Sequence, residues 1–143
     1  MFKFGARSLR NLEEVHPLLA NGCHNAIRIS PVDFAIICGR RGESVQNDYY
    51  ARGLSKVQFP DSQHNKSPSM ALDFAPWPID WNDSLAFARV AGIIQACVHD
   101  IIRTSTMVDW KKLTTRWGGD WDRDGSSRDQ SFMDIGHLEI RLL

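Results

Sequence analysis

Apolar positions recur along the chain with two different periods, and the switches between them mark the elements. Near the N-terminus Leu9, Leu12 and Val15 fall at helical spacing behind Ser8, which reads as the N-cap of a first helix. Pro17 is suited to the first position of a second helix, with Leu18, Leu19 and Ala26 turned inward. Asp33-Phe34-Ala35-Ile36-Ile37-Cys38 is a short apolar run ended by Gly39, the signature of a buried strand. Glu43 to Arg52 follows as a polar helix stopped by Gly53, and Leu54 to Pro68 reads as loop. Met70 to Ala75 is a second strand, closed by Pro76-Trp77-Pro78. The longest helix is predicted over roughly Asp83 to Arg103 behind an Asn82 cap. Its stripe is Leu85, Ala88, Ala91, Ile94, Val98 and Ile101. Leu113 to Trp117 and Ile135 to Leu142 read as further strands, the second alternating Ile135, His137 and Glu139 against Leu138 and Ile140.

Short strands interleaved with helices predict a compact α+β domain, with a small, mainly antiparallel sheet flanked by helices. At 143 residues the chain is one domain spanning 1–143, without repeats or a linker to a separate wall-binding module. Seventeen basic residues balance seventeen acidic ones, so no global field favours nucleic acid or an anionic membrane. The apolar stretches read as too short to span a bilayer, and the start MFKFGARSLRNLEEV has no secretory h-region. Cys23, Cys38 and Cys97 contain no CxxC pair and are odd in number, which fits reduced thiols better than a disulfide framework.

Against this ordinary background two polar residues stand out. Asp73 interrupts the apolar run Met70-Ala75, and His137 sits amid Ile135, Leu138 and Ile140. A carboxylate or imidazole in such a place is costly unless a metal or a partner compensates it. With His64 from the preceding loop they make a two-histidine, one-carboxylate set, which leaves a fourth zinc position open for water. Asp134, three residues before His137, is the candidate general base. Glu139 is the alternative base, or an acceptor for a histidine N–H, because period two puts it on the face of His137. His16, His24 and His99 fall in helical segments without carboxylates at ligand spacing and receive no role. The loop from Asp120 to Gly125 matches the start of a calcium loop, D-x-D-x-D-G, but Ser131 stands where the closing glutamate belongs.

The segments SPVDFAIICGRRGESVQNDYYARGLSKVQFPDSQHN, ALDFAPW, RWGGDWDRDG and FMDIGHLEI resemble phage endolysins of the D-Ala-D-Ala metallopeptidase family, in its L-alanyl-D-glutamate endopeptidase branch. The resemblance implies a hedgehog-like fold and Zn²⁺ held by His64, Asp73 and His137. It implies that Asp134 is the catalytic base, with Arg41 steadying the substrate carbonyl and its oxyanion. Gln46 and Ser62 then take supporting positions near the substrate or the ligands. The implied activity is hydrolysis of the L-Ala–D-Glu bond of the peptidoglycan stem peptide by a monomer. Such a lysin is held in the host cytoplasm until a holin gives it access to the wall. His64 and Asp73 are nine apart where the family more often has seven, which places two extra residues around Ser67-Pro68. Rival readings are a D-alanyl-D-alanine carboxypeptidase or dipeptidase, a non-haem Fe(II) centre, and a zinc-stabilised wall-binding module. Retention of Asp134 beside three ligands speaks against the last, and the absence of a tight H-x-D pair against the iron centre.

Overall fold

The computed structural model describes all of residues 1–143. In chain order it contains α1 (Ala6–Glu13), α2 (Pro17–Ile29), β1 (Phe34–Cys38), α3 (Glu43–Ala51), β2 (Ala71–Pro76), α4 (Ser84–Thr104), β3 (Leu113–Trp117) and β4 (His137–Leu142). Single 3₁₀ turns lie at Gln63–Asn65 and Trp110–Lys112. The four strands form one sheet in the order β1-β2-β4-β3, and every neighbouring pair is antiparallel. The α+β expectation holds.

Alternation along β4 assigns the two faces of the sheet. Leu138 and Ile140 point into the core with Leu72, Phe74 and Ile36, while His137 and Glu139 point to the opposite face. All four of these β4 residues are buried, so the strand is covered on both sides. Helices α2 and α4 supply the cover on the core side. They approach closely at Gly22, where any Cβ would collide with the Val98 side chain. By length and composition α4 is apolar enough to cross a membrane, contrary to the sequence expectation; in this fold it packs on α2, β2 and β3.

Two helix starts differ from the sequence reading. Gly5 occupies the N-cap position of α1, and Ser8 is instead buried one turn inside, its hydroxyl accepting the Ile36 N–H at 3.0 Å. Ser8 thus ties α1 to β1 rather than beginning the helix. Helix α4 is capped by Asp83, whose carboxylate accepts the Ala86 N–H at 3.1 Å, and not by Asn82. Its buried stripe is Phe87, Val90, Ala91, Ile94 and Val98. Leu85 is 80% exposed, because the large Phe87 side chain, tilted against Phe74 and stacked on Trp81, sets which face turns inward. His16 does have a local role, since its imidazole accepts the Leu18 N–H at 3.2 Å and caps α2 ahead of Pro17.

The two-residue excess between His64 and Asp73 falls in a segment held to the N-terminal part of the chain. Ser69 N–H donates to the Glu14 carbonyl at 2.8 Å, the Ser69 carbonyl accepts from His16 N–H at 2.9 Å, and Met70 N–H reaches the Gln63 carbonyl at 3.1 Å.

Candidate metal centre and cleft

The sheet register assembles most of the site. Cys38 on β1, Asp73 on β2 and His137 on β4 are successive cross-strand partners, so their side chains form one row on the face away from the core. Ala71, Glu139 and Arg116 make the next row. His64 joins the first row from the 3₁₀ turn, which is closed by a reciprocal cap. The Ser62 hydroxyl accepts His64 N–H at 3.2 Å, and the Asn65 side-chain oxygen accepts Ser62 N–H at 3.0 Å. Asn65 also donates to the Arg41 carbonyl at 3.1 Å, and Arg41 N–H donates to the His64 carbonyl at 2.9 Å. The turn and the segment after β1 are thereby locked together.

Each histidine has one ring nitrogen engaged away from the centre. His64 Nδ1 lies 2.7 Å from the Gly39 carbonyl and His137 Nε2 lies 2.9 Å from Glu139 Oε2, so both are assigned as N–H donors. That tautomer choice leaves the lone pairs of His64 Nε2 and His137 Nδ1 aimed at each other across 3.1 Å. Asp73 Oδ1 sits 3.2 Å from the first and 3.5 Å from the second. With both imidazoles in that neutral tautomer it is buried and takes no hydrogen bond, which is costly for a carboxylate oxygen unless a proton or a cation enters between them. A tetrahedral centre with bonds of about 2.0–2.1 Å has ligand–ligand edges of about 3.3–3.4 Å. The observed triangle of 3.1, 3.2 and 3.5 Å has that size, so the three donors fit a zinc ion. The outward N–H bonds of both imidazoles are those that orient metal-ligating histidines.

The second oxygen of Asp73 explains why Oδ1 is free. Arg41 Nη2 holds Oδ2 at 3.0 Å, and Arg41 is itself clamped, with Nη1 3.2 Å from Gln46 Oε1 and the guanidinium 4.7 Å above the Tyr49 ring. Gln46, fully buried on α3, is fixed in turn by the Val57 carbonyl at 2.8 Å and the Ser55 hydroxyl at 2.9 Å. Glu139 has both oxygens occupied, one by His137 and the other by Arg116 Nε and Nη2 at 2.9 and 2.7 Å. It therefore acts on His137 and has no free oxygen for a water.

Asp134 is in a different position. It lies with Asp73 and His137 in a group whose ligand atoms are mutually within 4.8 Å, and it lines the cleft in front of them. Burial, and then the charge of Asp73, push its carboxyl above the ordinary aspartate range. Asp73 goes the other way. Burial alone would raise it, but the charge of His64 and hydrogen bonds from both histidines hold it well below that range. Burial disfavours charge on His64, yet Asp73 outweighs burial and holds the imidazole up at about 10. Protons on the histidines do here what a cation would do.

The cleft measures about 560 Å³. Arg41, His64, Asp134 and His137 line it together with Arg116, Trp121, Phe132 and Arg141. Trp121 comes from the Gly- and Asp-rich loop, lies 5.4 Å from the His137 ring at 34°, and supports Arg116 at 5.0 Å. Sequence reasoning assigns no role to Arg116 or Trp121. Period two along β3 would place Arg116 opposite Glu139 only once the register is known. Cys38 is a further residue that the sequence does not single out, though its Sγ shares a 4.8 Å group with His64 and Asp73. A slightly larger hollow, about 610 Å³, lies beside Asp120, Asp122 and Asp124 but contains none of the donors described above. Those three carboxylates are close together and partly occupied by the N–H groups of Asp124 and Gly125.

Known proteins share this architecture. The chain is 33% identical over 147 residues to the L-alanyl-D-glutamate peptidase of Escherichia phage T5, an alignment covering 97% of this chain and 98% of that protein. Its fold matches the crystal structure of Serratia marcescens L-Ala D-Glu endopeptidase ChiX with a TM-score of 0.69 and 24% identity, over 97% of this chain and 90% of that one. The family model for phage L-alanyl-D-glutamate peptidases matches residues 1–141, and the chain belongs to that family.

Proposed function

We propose that this chain is a zinc-dependent endolysin that hydrolyses the L-Ala–D-Glu bond of the peptidoglycan stem peptide. The observation that carries the reading is the triangle of His64 Nε2, Asp73 Oδ1 and His137 Nδ1 with Asp134 beside it. Family membership and the T5 relative supply the bond. A bound zinc would polarise the scissile carbonyl and make water acidic enough to attack it at neutral pH.

The chain's own residues do the rest. His64, Asp73 and His137 would hold the ion, and Glu139 with Arg116 fixes the tautomer and ring orientation of His137. Asp134 takes the proton from the attacking water and returns it to the leaving amine. Burial and the charge of Asp73 raise the Asp134 pKa, which makes it a stronger base than an ordinary aspartate. Arg41, which lines the cleft and is held by Gln46, places fixed positive charge beside the developing oxyanion. Ser62 acts through the turn that aims His64. The enzyme works as a monomer on a wall polymer, and it waits in the host cytoplasm for a holin to open the way.

Mass spectrometry of purified peptidoglycan treated with the zinc-loaded protein tests this. New L-Ala C-termini paired with D-Glu N-termini are expected, and both should vanish on chelation and in Asp134→Ala. Release of free D-Ala instead would assign the carboxypeptidase reaction. An intact wall in the presence of one tightly held zinc would assign a binding module.

A further inference from the structure

Four cationic side chains line the cleft: Arg41, Lys56, Arg116 and Arg141. Two are already committed. Arg41 is bonded to Asp73 at 3.0 Å, and Arg116 to Glu139 at 2.7 and 2.9 Å. The other two are not. The nearest carboxylate oxygen to Arg141 is Glu139 Oε1 at 4.0 Å, an oxygen that Arg116 already holds, and Arg141 Nε is buried without any hydrogen-bond partner. Lys56 pairs with no carboxylate; its ammonium rests 4.9 Å above the Phe132 ring. Two cationic side chains without a carboxylate of their own, lining one open cleft with Arg141 about a third exposed, are matched by an anion from outside the chain.

Position selects which anion. His137, Glu139 and Arg141 alternate along β4, so they line one face and Arg141 lies at the end of the cleft, beyond Glu139 from the donor triangle. In a stem peptide cut between L-Ala and D-Glu, the acyl side has no ionised group, because the lactyl carboxyl of the muramic acid is consumed in its amide bond to L-Ala. Every free carboxylate lies on the amine side. The α-carboxylate of D-Glu hangs on the same carbon as the scissile nitrogen and so stays beside the donor triangle. The next acidic group is a residue further on, which is where Arg141 stands.

We infer that Arg141 and Lys56 form a subsite for the side-chain carboxylate of the residue that follows D-Glu, orienting the stem peptide with its leaving half along β4. This rests on the proposed bond specificity. It makes the enzyme selective for walls whose third residue is a diamino diacid over walls with a simple diamine residue there.

The test is a two-by-two set of disaccharide-linked stem peptides. The third residue is meso-diaminopimelate or L-lysine, and the D-Glu α-carboxylate is free or amidated. The zinc-loaded protein should show a kcat/KM ratio for diaminopimelate over lysine of roughly 10- to 100-fold, the range of a charge-assisted hydrogen bond. In Lys56→Gln/Arg141→Gln the ratio should fall to about one, with Arg141→Lys recovering part of it, while the effect of amidating D-Glu stays as in the parent. Circular dichroism and zinc content establish that the variants are folded. A parent ratio near one, or a ratio that survives both substitutions, overturns the subsite. If the amidation effect is what collapses in the variants, the carboxylate read is that of D-Glu, and the third-residue assignment is wrong. Failure to cut any of the four at L-Ala–D-Glu overturns the bond specificity itself, a result distinct from the loss of discrimination.

Discussion

Asp73 uses its two oxygens differently, and that division is the most consequential detail at the residue scale. Oδ2 is held by Arg41, which leaves Oδ1 buried, unpartnered and between two imidazole lone pairs. A proton or a cation must fill that space, and the two compete. At neutral pH His64, held at about 10, carries its proton in the absence of metal, so zinc has to displace it. Zinc affinity should therefore climb as pH rises towards about 10, by about tenfold per unit for each proton released, and level off above it. Calorimetric titrations in buffers of different ionisation enthalpy would count the protons, and none released near pH 7 would refute the assignment. The same shift has a second consequence with a definite sign. A raised histidine pKa stabilises the metal-free fold fully below 6.5, and that contribution is lost as pH rises through about 10, so the chelated protein should weaken in alkali.

Asp134 makes the complementary case, since it is near the donors without being needed as one. Asp134→Asn keeps the shape and removes the proposed base. Zinc content should remain one per chain while kcat falls by roughly 10²–10⁴. Loss of zinc together with activity would make Asp134 a ligand and not the base. Because burial and Asp73 raise its carboxyl, the acid limb of kcat should lie above the ordinary aspartate value of 3.8, with activity increasing as pH rises through it.

At the scale of elements, the sheet register does what no single residue can. Every strand proposed from periodicity exists, because alternation and apolar runs are local signals. Helix α2 begins at Pro17 for an equally local reason. The caps of α1 and α4 and the phase of the α4 stripe differ from expectation because they depend on long-range packing: Ser8 on β1, and Phe87 against Phe74. The rows Cys38–Asp73–His137 and Ala71–Glu139–Arg116 likewise follow from which strands are neighbours, and strand order is invisible to periodicity. Gly118 shows how tightly that register positions Asp134, the proposed base. Its N–H donates to the His137 carbonyl and its carbonyl accepts the Asp134 N–H, both at 2.9 Å. Any Cβ there would collide with the Asp134 carbonyl oxygen. Gly118→Ala should displace Asp134 and lower kcat by roughly 10²-fold with zinc still bound, as expected for a catalytic group moved by about 1 Å. Gly92→Ala, in a helix with nothing within 4 Å of the new methyl, is the control and should leave kcat unchanged. Equal kcat in the two variants would mean that the 134–137 segment is positioned by something else.

Across the whole molecule, the donors come from three separate places: a 3₁₀ turn, β2 and β4. Asp73 and His137 stand out in the sequence because each violates an apolar pattern and the violation is local, whereas His64, in a loop, is singled out by the family resemblance. How they are supported is not legible there, since Arg41 with Gln46 and Arg116 with Glu139 join residues 5 and 23 positions apart through the fold. A metal that bridges a turn and two strands binds the folded chain and not the unfolded one, so it stabilises the fold by mass action. At free zinc about a thousandfold above Kd the gain is about 4 kcal/mol. For a chain of this size that corresponds to roughly 10–15 °C in Tm. Chelation should lower the melting temperature by that amount, and readdition of zinc should restore it. Asp73→Asn, which keeps the volume and removes the charge that attracts both protons and metal, should melt at one temperature with or without chelator. A parent protein whose Tm ignores chelation would show that the triangle of donors holds no ion in the folded state, and the proposed hydrolysis would then need another source of activated water.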